Sequence, residues 1–367
     1  MTRKKKITLT IILDIAALVL IGGFVCASTF GVFSPDTSIT SPVALATPEP
    51  TEAVPTPDPT ELPENPSTEP SDATPLPAET PVPTPLMWDG ILDPKYAGLF
   101  LEKGAESIST ETSYQSEDIY MTLTAYTEPK LKYWVVDIYV KHVENLRADY
   151  GMSDKQAEWL PNHHRKSGAL LTVNTDYWVN AQQSKQGWFV RNGIELARNP
   201  ESRMKWDLCV LYRNGVMETL DAAQFQTDFA AGTNSFDALS AKFPYHVFYF
   251  GPALLDENGH AKSVLNTTLQ IENPRTVLGY YEPGHYALVI VMGSREVRDI
   301  NNKTVTGRTG SAGITMTDLA KLCESLGFTA AYNLDGGQST TMMFGDKLYG
   351  HNNRRLTDFL CVVELDN

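Results

Sequence analysis

The chain has 367 residues, and its composition and charge exclude one broad class of function. Its formal net charge is −14, and nine of its carboxylates lie in a single segment that carries no Lys or Arg, residues 35–86. A nucleic-acid-binding protein shows a basic patch or stripe, and beyond the short basic run at residues 3–6 this sequence shows none. We therefore expect no nucleic-acid partner.

The first 33 residues have the pattern of a membrane anchor. Residues 1–6, MTRKKK, form a short basic tail, and residues 7–33 are almost entirely apolar. About 20 apolar residues span a bilayer as a helix, and a basic flank stays in the cytoplasm. The pattern predicts a single-pass protein of the cell membrane with its N-terminus inside. The alternative is a signal peptide that is cleaved after Ala27.

A linker follows the predicted anchor. Residues 34–87 are rich in Pro, Thr, Ser, Ala and acidic residues, as in TPEPTEAVPTPDPTELPENP. A segment with so little to bury cannot offset the entropy lost on ordering, so we expect a disordered, extended spacer. The remaining residues, 88–367, are predicted to form one globular domain outside the cytoplasm.

Short alternating strands dominate the predicted domain. Apolar and polar residues alternate in KYWVVDIYV, DLCVLYRNGVMETL and RTVLGYYEPGHYALVIVMG, with turn signals at Asn214-Gly215 and Pro283-Gly284. The clearest helix begins after Thr315, a capping residue, and ends before Gly327. Strands that do not alternate regularly with helices predict an α+β fold with a mixed, largely antiparallel sheet.

The cysteines and histidines predict neither a disulfide framework nor a metal site. Cys209, Cys323 and Cys361 lie in unrelated apolar contexts, which favours buried thiols. No Cys/His cluster has the spacing of a zinc site. His163-His164 is the one adjacent histidine pair, and adjacent side chains point in different directions, so a solvated loop is expected there. We predict no metal ligands and no cofactor.

The segment YNLDGGQSTTM carries the densest chemical signal. A strand runs into Asp335, Gly336 and Gly337, and glycines at such a bend let backbone amides face an anion. Hydrogen-bonding side chains flank this bend, with Asn333 before it and Ser339 and Thr340 after it. The alternative is an ordinary Asp-Gly hairpin turn.

Two further segments place polar groups at strand ends. In NPRT, Arg275 offers a planar guanidinium suited to two hydrogen bonds with a phosphate, although a surface arginine beside a turn is the alternative. In VNTDYW, Asn174 and Asp176 with two aromatic residues suit a sugar, but they equally suit core aromatics beside a capped turn.

Taken in order, these segments resemble the phosphodiester glycosidase family, including bacterial members with an N-terminal anchor. The resemblance covers about 169–363 and is carried by VNTDYW, FGPALL, NPRTVLGY, HYALVIVMG and AAYNLDGGQSTTM. It implies hydrolysis of the bond between a sugar's anomeric carbon and a phosphodiester oxygen. The implied substrate is a glycan with such a linkage in the cell envelope or in exopolysaccharide.

The resemblance also implies residue roles. Arg275 would bind the phosphate, helped by the amides of Gly336 and Gly337 and by Arg295. Asp335 would stabilise the oxocarbenium-like state or activate water, with Asp176 as the second carboxylate. The remaining implied substrate contacts are Asn174, His285, Asn333, Ser339 and Thr340.

Two departures from the family pattern leave a rival function open. Thr175 stands where the family usually has glycine, and 292–295 reads MGSR where relatives commonly read Asp-Gly-Arg. Such changes favour a non-catalytic protein that binds exopolysaccharide with the same fold. A metal-dependent phosphodiesterase that uses His163-His164 is a third candidate.

Overall fold

Antiparallel β-strands make up most of the regular secondary structure in the residues that are described. The computed structural model describes residues 92–293, 313–351 and 354–365, without the side chains of residues 180–182. The strands in these residues are β1 (Ile108–Ser109), β2 (Ser113–Gln115), β3 (Ile119–Thr127), β4 (Leu131–Val140), β5 (Leu146–Tyr150), β6 (Leu171–Asn174), β7 (Trp188–Arg191), β8 (Ile194–Arg198), β9 (Leu208–Tyr212), β10 (Met217–Leu220), β11 (Pro244–Tyr249), β12 (Arg275–Glu282), β13 (His285–Gly293), β14 (Ala330–Asn333), β15 (Thr341–Phe344), β16 (Lys347–Gly350) and β17 (Asp358–Val362).

Helices are few and short. The α-helices in the described residues are α1 (Leu160–Ser167), α2 (Trp178–Gln183), α3 (Ala222–Ala231), α4 (Phe236–Ser240) and α5 (Met316–Ser325). Short 3-10 helices cover Pro94–Leu99, Val143–Asn145, Asp154–Gln156, Glu201–Arg203 and Gly337–Ser339.

The first sheet has the order β1-β2-β3-β4-β13-β12-β14. Its central strands β13 and β4 pair over nine positions, from His285 opposite Tyr139 to Gly293 opposite Leu131. The turn between β12 and β13 contains Gly284 with φ of 86°, a left-handed conformation that costs glycine little. The turn predicted at Pro283-Gly284 is thus confirmed.

The third sheet determines which chain segments meet at the candidate site. Its order is β16-β15-β6-β17-β5, and the second sheet has the order β10-β9-β11-β7-β8. Strand β6 is antiparallel to both neighbours, with Val173 opposite Met342 and Asn174 opposite Phe359. The C-terminal end of β6 therefore lies beside the N-terminal ends of β15 and β17.

Strand β14 adds a fourth segment to this meeting point. It pairs with β12 in antiparallel register, with Asn333 opposite Val277. The end of β14 and the start of β12 therefore lie side by side, immediately before the loop that leads into β15.

One hydrophobic core touches all three sheets. Leu288 of the first sheet, Phe248 of the second and Leu360 of the third belong to the same buried cluster, and each is at most 1% exposed. Full burial of one such side chain contributes roughly 1.5–3 kcal/mol. A shared core explains why the described residues form one compact unit.

Helix α5 covers the outer face of the first sheet. Its N-cap, Thr315, accepts a hydrogen bond from the backbone N of Asp318 at 3.1 Å, which stabilises the first turn by about 1 kcal/mol. Leu319 and Cys323 are fully buried in a cluster with Val289 of β13. The helix predicted after Thr315 is confirmed.

The structure confirms antiparallel sheets with few helices and corrects two details. The strands form three sheets, and every strand pair within the described residues is antiparallel, so no mixed sheet is found there. His163 and His164 lie on α1, and neither belongs to a solvated loop. The three cysteines of the domain are buried free thiols, as expected.

The N-terminal predictions fall outside the described residues. These are the basic tail 1–6, the anchor 7–33, the linker 34–87 and the first residues of the domain from 88. Among the helices of 92–293, 313–351 and 354–365, none is both long and apolar enough to cross a bilayer.

Candidate active site

Asp335 stands at the meeting point of the four segments. Its backbone N donates to the carbonyl of Thr175 at 3.0 Å, and Asn174 Nδ2 donates to the Asp335 carbonyl at 2.6 Å. The loop after β14 is therefore fastened to the end of β6. The Asp335 side chain is 15% exposed, so its carboxylate reaches the surface of the site.

The Asp335 carboxylate has three polar neighbours. Oδ1 accepts from the backbone N of Gly336 at 2.9 Å, and Oδ2 lies 3.4 Å from Arg354 Nη1. Burial raises the pKa of Asp335, although the Ser339 hydroxyl and the Arg354 guanidinium act in the opposite direction. A carboxyl group with a raised pKa beside a cation is a common arrangement at catalytic sites.

Arg354 is the functional candidate that the sequence reasoning missed. Its Nη1 donates to Ser339 Oγ at 2.9 Å, and its guanidinium lies 4.7 Å above the Tyr177 ring. With 36% of its side chain exposed, it is a cation that faces the site and can bind an anion. The sequence signal was weak, because Arg354 belongs to no motif. It comes beside Asp335 through the hairpin of β15 and β16, after which His351 N donates to the Thr340 carbonyl at 2.8 Å, and through the pairing of β17 with β6.

Tyr177 adopts a strained backbone conformation beside this pair. Its φ is 52°, a left-handed value that is uncommon for an aromatic residue. Its hydroxyl donates to Asp154 Oδ1 at 2.9 Å, which holds the ring under Arg354. The left-handed residue of this loop is Tyr177 and not Thr175, which stands at the family's glycine position.

Asp176 lies beneath the site, with a side chain that is 0% exposed. Its Oδ1 accepts a hydrogen bond from Arg191, and its Oδ2 accepts from the backbone N of Tyr249 at 2.8 Å. The predicted second carboxylate therefore presents no oxygen to the surface. Its catalytic role stays a prediction, and its contacts are those of a residue that fixes the loop.

Asp358 completes a buried cluster with Asp176 and Arg191. Its Oδ2 accepts from the Thr175 hydroxyl and lies 3.9 Å from Arg191 Nη2. Burial and the neighbouring carboxylate of Asp176 raise the pKa of Asp358 to about 7. Two buried carboxylates share one guanidinium, so one of them retains a proton more readily. Thr175 thus has a structural function here that glycine could not supply.

Arg275 is buried, so the alternative interpretation of a surface arginine beside a turn is wrong. It is 2% exposed, and its Nη2 donates to the carbonyls of Leu269 and Ile271, both at 2.8 Å. Burial lowers the pKa of Arg275 to about 10. These contacts fix the chain segment before β12, and its predicted role in phosphate binding stays a prediction.

The two glycine amides are already engaged. The N of Gly336 donates to Asp335 Oδ1, and the N of Gly337 donates to the Pro274 carbonyl at 2.8 Å. A Cβ on Gly336 would lie 2.6 Å from that same carbonyl, which explains the glycine by close backbone approach. An open anion-binding nest at these two amides is therefore not observed.

The other predicted contacts divide between the site and the rest of the fold. Ser339 and Thr340 are buried next to Arg354 and His351, and Asn333 Nδ2 donates to the Gly251 carbonyl at 2.8 Å. His285 lies at the opposite end of β12 and β13, about 23 Å away by strand rise, stacked between Tyr139 and Tyr281. That position gives His285 no contact with the site. Arg295 lies outside the described residues.

The candidate site is a polar site at the ends of antiparallel strands, and one carboxylate and one guanidinium, those of Asp335 and Arg354, lie at its surface. A family model described as phosphodiester glycosidase matches residues 167–363, which is more than half of the chain. The chain therefore belongs to the phosphodiester glycosidase family. Asn174, Asp335 and Arg354 all lie within the matched residues.

Two solved structures are similar to the chain at low identity. One is the catalytic domain of zebrafish N-acetylglucosamine-1-phosphodiester alpha-N-acetylglucosaminidase, with 14% identity, a TM-score of 0.48, and coverage of 71% of this chain and 88% of that one. The other is a hypothetical protein from Synechocystis, with 13% identity, a TM-score of 0.47, and coverage of 71% and 64%. Among curated proteins, none matches the chain.

Proposed function

We propose that this protein is a hydrolase that cleaves the bond between a sugar's anomeric carbon and a phosphodiester oxygen. Besides membership of the family, one structural observation supports this proposal. The partly exposed Asp335 carboxylate lies 3.4 Å from the partly exposed Arg354 guanidinium, at the point where four chain segments meet. This pair supplies one group for the developing sugar cation and one for the departing phosphate.

The leaving group determines which residues matter most. A phosphate monoester departs as a stable anion, so it needs charge stabilisation more than protonation. Arg354 is placed to bind that anion, and Ser339 Oγ holds the guanidinium at 2.9 Å. A planar guanidinium can bind two phosphate oxygens at once.

Asp335 acts on the sugar side of the bond. An ionised carboxylate close to the anomeric carbon stabilises an oxocarbenium-like state or takes a proton from the attacking water. Its attachment to Thr175 and Asn174 through the backbone keeps the carboxylate in place. Rigid placement of this kind lowers the barrier because the group needs no reorganisation during the reaction.

Asp176 and Arg275 support the site from below in this proposal. Neither side chain is more than 2% exposed, and each bonds to groups of the surrounding backbone. Their roles are to hold the ends of β6 and β12, and direct contact with the substrate would require them to move.

We further propose that the reaction takes place outside the cytoplasm, close to the cell membrane. Support comes from the sequence of 1–87, with its basic tail, apolar segment and long proline-rich linker. A linker of roughly 50 residues in polyproline conformation reaches on the order of 150 Å. Substrates would then be phosphodiester-linked envelope glycans or exopolysaccharide within that distance.

Incubation of the full chain with a sugar-1-phospho-sugar diester tests the activity, with phosphorus NMR to identify the products. A reducing sugar together with a phosphomonoester on the other sugar is the expected outcome. A variant, Asp335→Asn, serves as the matched control and should leave the diester intact.

Two other outcomes would contradict the proposal. Unchanged diester together with measurable binding would favour the non-catalytic glycan-binding protein, a candidate to which the engaged amides of Gly336 and Gly337 lend weight. A sugar 1-phosphate product would identify a phosphodiesterase.

A further inference from the structure

Three side chains of metal-binding type meet at a place separate from the candidate active site. They are Asp149 on β5, His163 on α1 and Cys361 on β17. His163 Nε2 lies 3.0 Å from Asp149 Oδ2, and Cys361 Sγ lies 3.6 Å from that oxygen and 4.0 Å from that nitrogen. The three donor atoms therefore form a small triangle.

The size of this triangle fits one tetrahedral zinc ion. Bond lengths of about 2.3 Å to sulfur and about 2.0–2.2 Å to nitrogen and oxygen imply donor separations of roughly 3.4–3.6 Å. The three observed separations lie within about half an ångström of those values. We propose that Asp149, His163 and Cys361 bind a Zn²⁺ ion. This inference does not depend on the proposed glycosidase activity.

The contacts of His163 orient its Nε2 towards the other two proposed ligands. Its Nδ1 lies 3.5 Å from Glu158 Oε2, and the Phe359 ring stacks on the imidazole with centroids 4.1 Å apart. Metal-binding histidines usually direct their second nitrogen to a carboxylate in this way, which fixes the ring and its tautomer. Nε2 is left to face Asp149 and Cys361.

Asp149 is held ready as an ionised ligand. Arg147 donates to both of its oxygens, from Nε at 2.8 Å and from Nη2 at 2.9 Å. Burial alone would raise the pKa of Asp149, but the hydrogen bonds from His163 and Arg147 outweigh it and lower the pKa to about 2. Each carboxylate oxygen has two lone pairs, so Oδ2 can accept from Arg147 and still bind a metal.

Two of the three proposed ligands, Asp149 and His163, line a cavity. Asp149, Glu158, His163 and Asn192 help to line this space, which has a volume of about 430 Å³. Three protein ligands with an accessible fourth position leave room for a water molecule or a small anion on the ion. The cavity also provides the route by which the ion enters, because Cys361 itself is fully buried.

Metal binding must release a proton from Cys361. Burial raises the pKa of the Cys361 thiol to about 12, so the apo protein holds a neutral thiol. On binding, the S–H bond of Cys361 breaks, the thiolate sulfur donates its electron pair to the ion, and the proton passes to solvent. The N–H bond at His163 Nε2, which donates to Asp149 in the apo protein, also breaks, and the imidazole binds the ion as the tautomer with its proton on Nδ1, facing Glu158.

Cobalt substitution tests the site in the full chain. The protein is stripped with a chelator and titrated with Co²⁺ alone, and we expect thiolate-to-cobalt charge-transfer absorption in the near ultraviolet that Zn²⁺ then removes. The variant Cys361→Ser should lose this absorption. A matched control, Cys323→Ser, replaces an equally buried thiol in another cluster and should retain it.

A second variant guards against misfolding of Cys361→Ser. Glu158 is 24% exposed, so Glu158→Gln should fold normally while weakening Zn²⁺ affinity about 10–100-fold through loss of His163 orientation. The proposal is overturned if the folded wild type shows no such absorption. It is equally overturned if the absorption persists in folded Cys361→Ser, or if Glu158→Gln binds Zn²⁺ as tightly as the wild type.

Discussion

Replacement of Arg191 by methionine should destabilise the protein strongly and in a pH-dependent way. Arg191 is 0% exposed and is the one cation beside the carboxylates of Asp176 and Asp358 among the described residues. Methionine keeps most of the side-chain volume but removes the charge. Breaking a buried ion pair from one side costs about 3–5 kcal/mol, because the remaining charge is buried without a partner.

The expected loss corresponds to a measurable fall in Tm. At roughly 2–4 °C for each kcal/mol in a domain of this size, Tm should drop by about 6–20 °C at pH 8. The pKa of Asp358 is raised to about 7, so this carboxyl group is already neutral at pH 5 and the loss should be smaller there. Hydrogen bonds from Arg191 to the carbonyls of Val190 and Val247 contribute a part that does not change with pH.

Calorimetric unfolding of the wild type and Arg191→Met at pH 5 and pH 8 measures both parts. Arg198→Met is the matched control, since Arg198 pairs with Glu195 and with Asp237, whose side chain is 88% exposed. Surface pairs contribute about 0–1 kcal/mol, so the control should change little. A loss in Arg191→Met that equals the control, or that is the same at both pH values, would refute the reasoning.

Further predictions concern the candidate site. Asp335→Asn should lower kcat/KM for the diester by about 10²–10⁴ with an unchanged Tm, as steady-state kinetics and calorimetry would reveal. Arg354→Ala should lower kcat by about 10²–10³, and Arg354→Lys should lower it by less, because lysine keeps the charge but not the two-pronged hydrogen bonding of the guanidinium. Equal losses in both variants would contradict phosphate binding by the guanidinium. Burial raises the pKa of Asp335, so the acidic limb of the kcat/KM profile should lie above the usual range of a carboxyl group; a limb at or below that range would count against Asp335 as the ionising group. The pKa of Asp358 is raised to about 7 in the folded state, so its stabilising contribution is fully present below the unfolded pKa of about 4 and is lost as pH rises through 7. Asp358→Asn should therefore flatten the dependence of Tm on pH between these values. An unchanged slope would show that another group titrates.

Local patterns in the sequence predicted the elements of the fold well. The alternation in KYWVVDIYV and the capping residue Thr315 are short-range signals, and β4 and α5 form where they indicate. The division into three sheets depends on pairings such as Val173 with Met342, which are 169 positions apart. No local pattern contains that information.

The candidate site was predicted in part for the same reason. Asp335 and Asn174 were found because each lies at or just after the end of a strand, in a segment that the family resemblance marks. The burial of Asp176 could not be read from VNTDYW, because it depends on Arg191 from a different sheet. Arg354 carries no motif of its own and reaches the site through the pairing of β15 with β16 and of β17 with β6.

The proposed zinc site could not be inferred from sequence spacing, because its three side chains come from three separate elements. Asp149 and His163 are 14 positions apart, and Cys361 follows His163 after a further 198. Adjacent histidines at His163-His164 suggested a solvated loop. On α1 they separate, and His164 Nδ1 pairs with Thr172 Oγ1 at 2.8 Å.

Hydrolysis in water enriched in oxygen-18 tests the proposed reaction most directly. Cleavage at the anomeric carbon delivers the labelled oxygen to the reducing sugar, and the phosphomonoester retains only unlabelled oxygen. Phosphorus NMR detects the difference, because an oxygen-18 atom bound to phosphorus shifts the resonance. The glycosidase mechanism predicts an unshifted phosphomonoester and a labelled sugar, and label in the phosphate would contradict it.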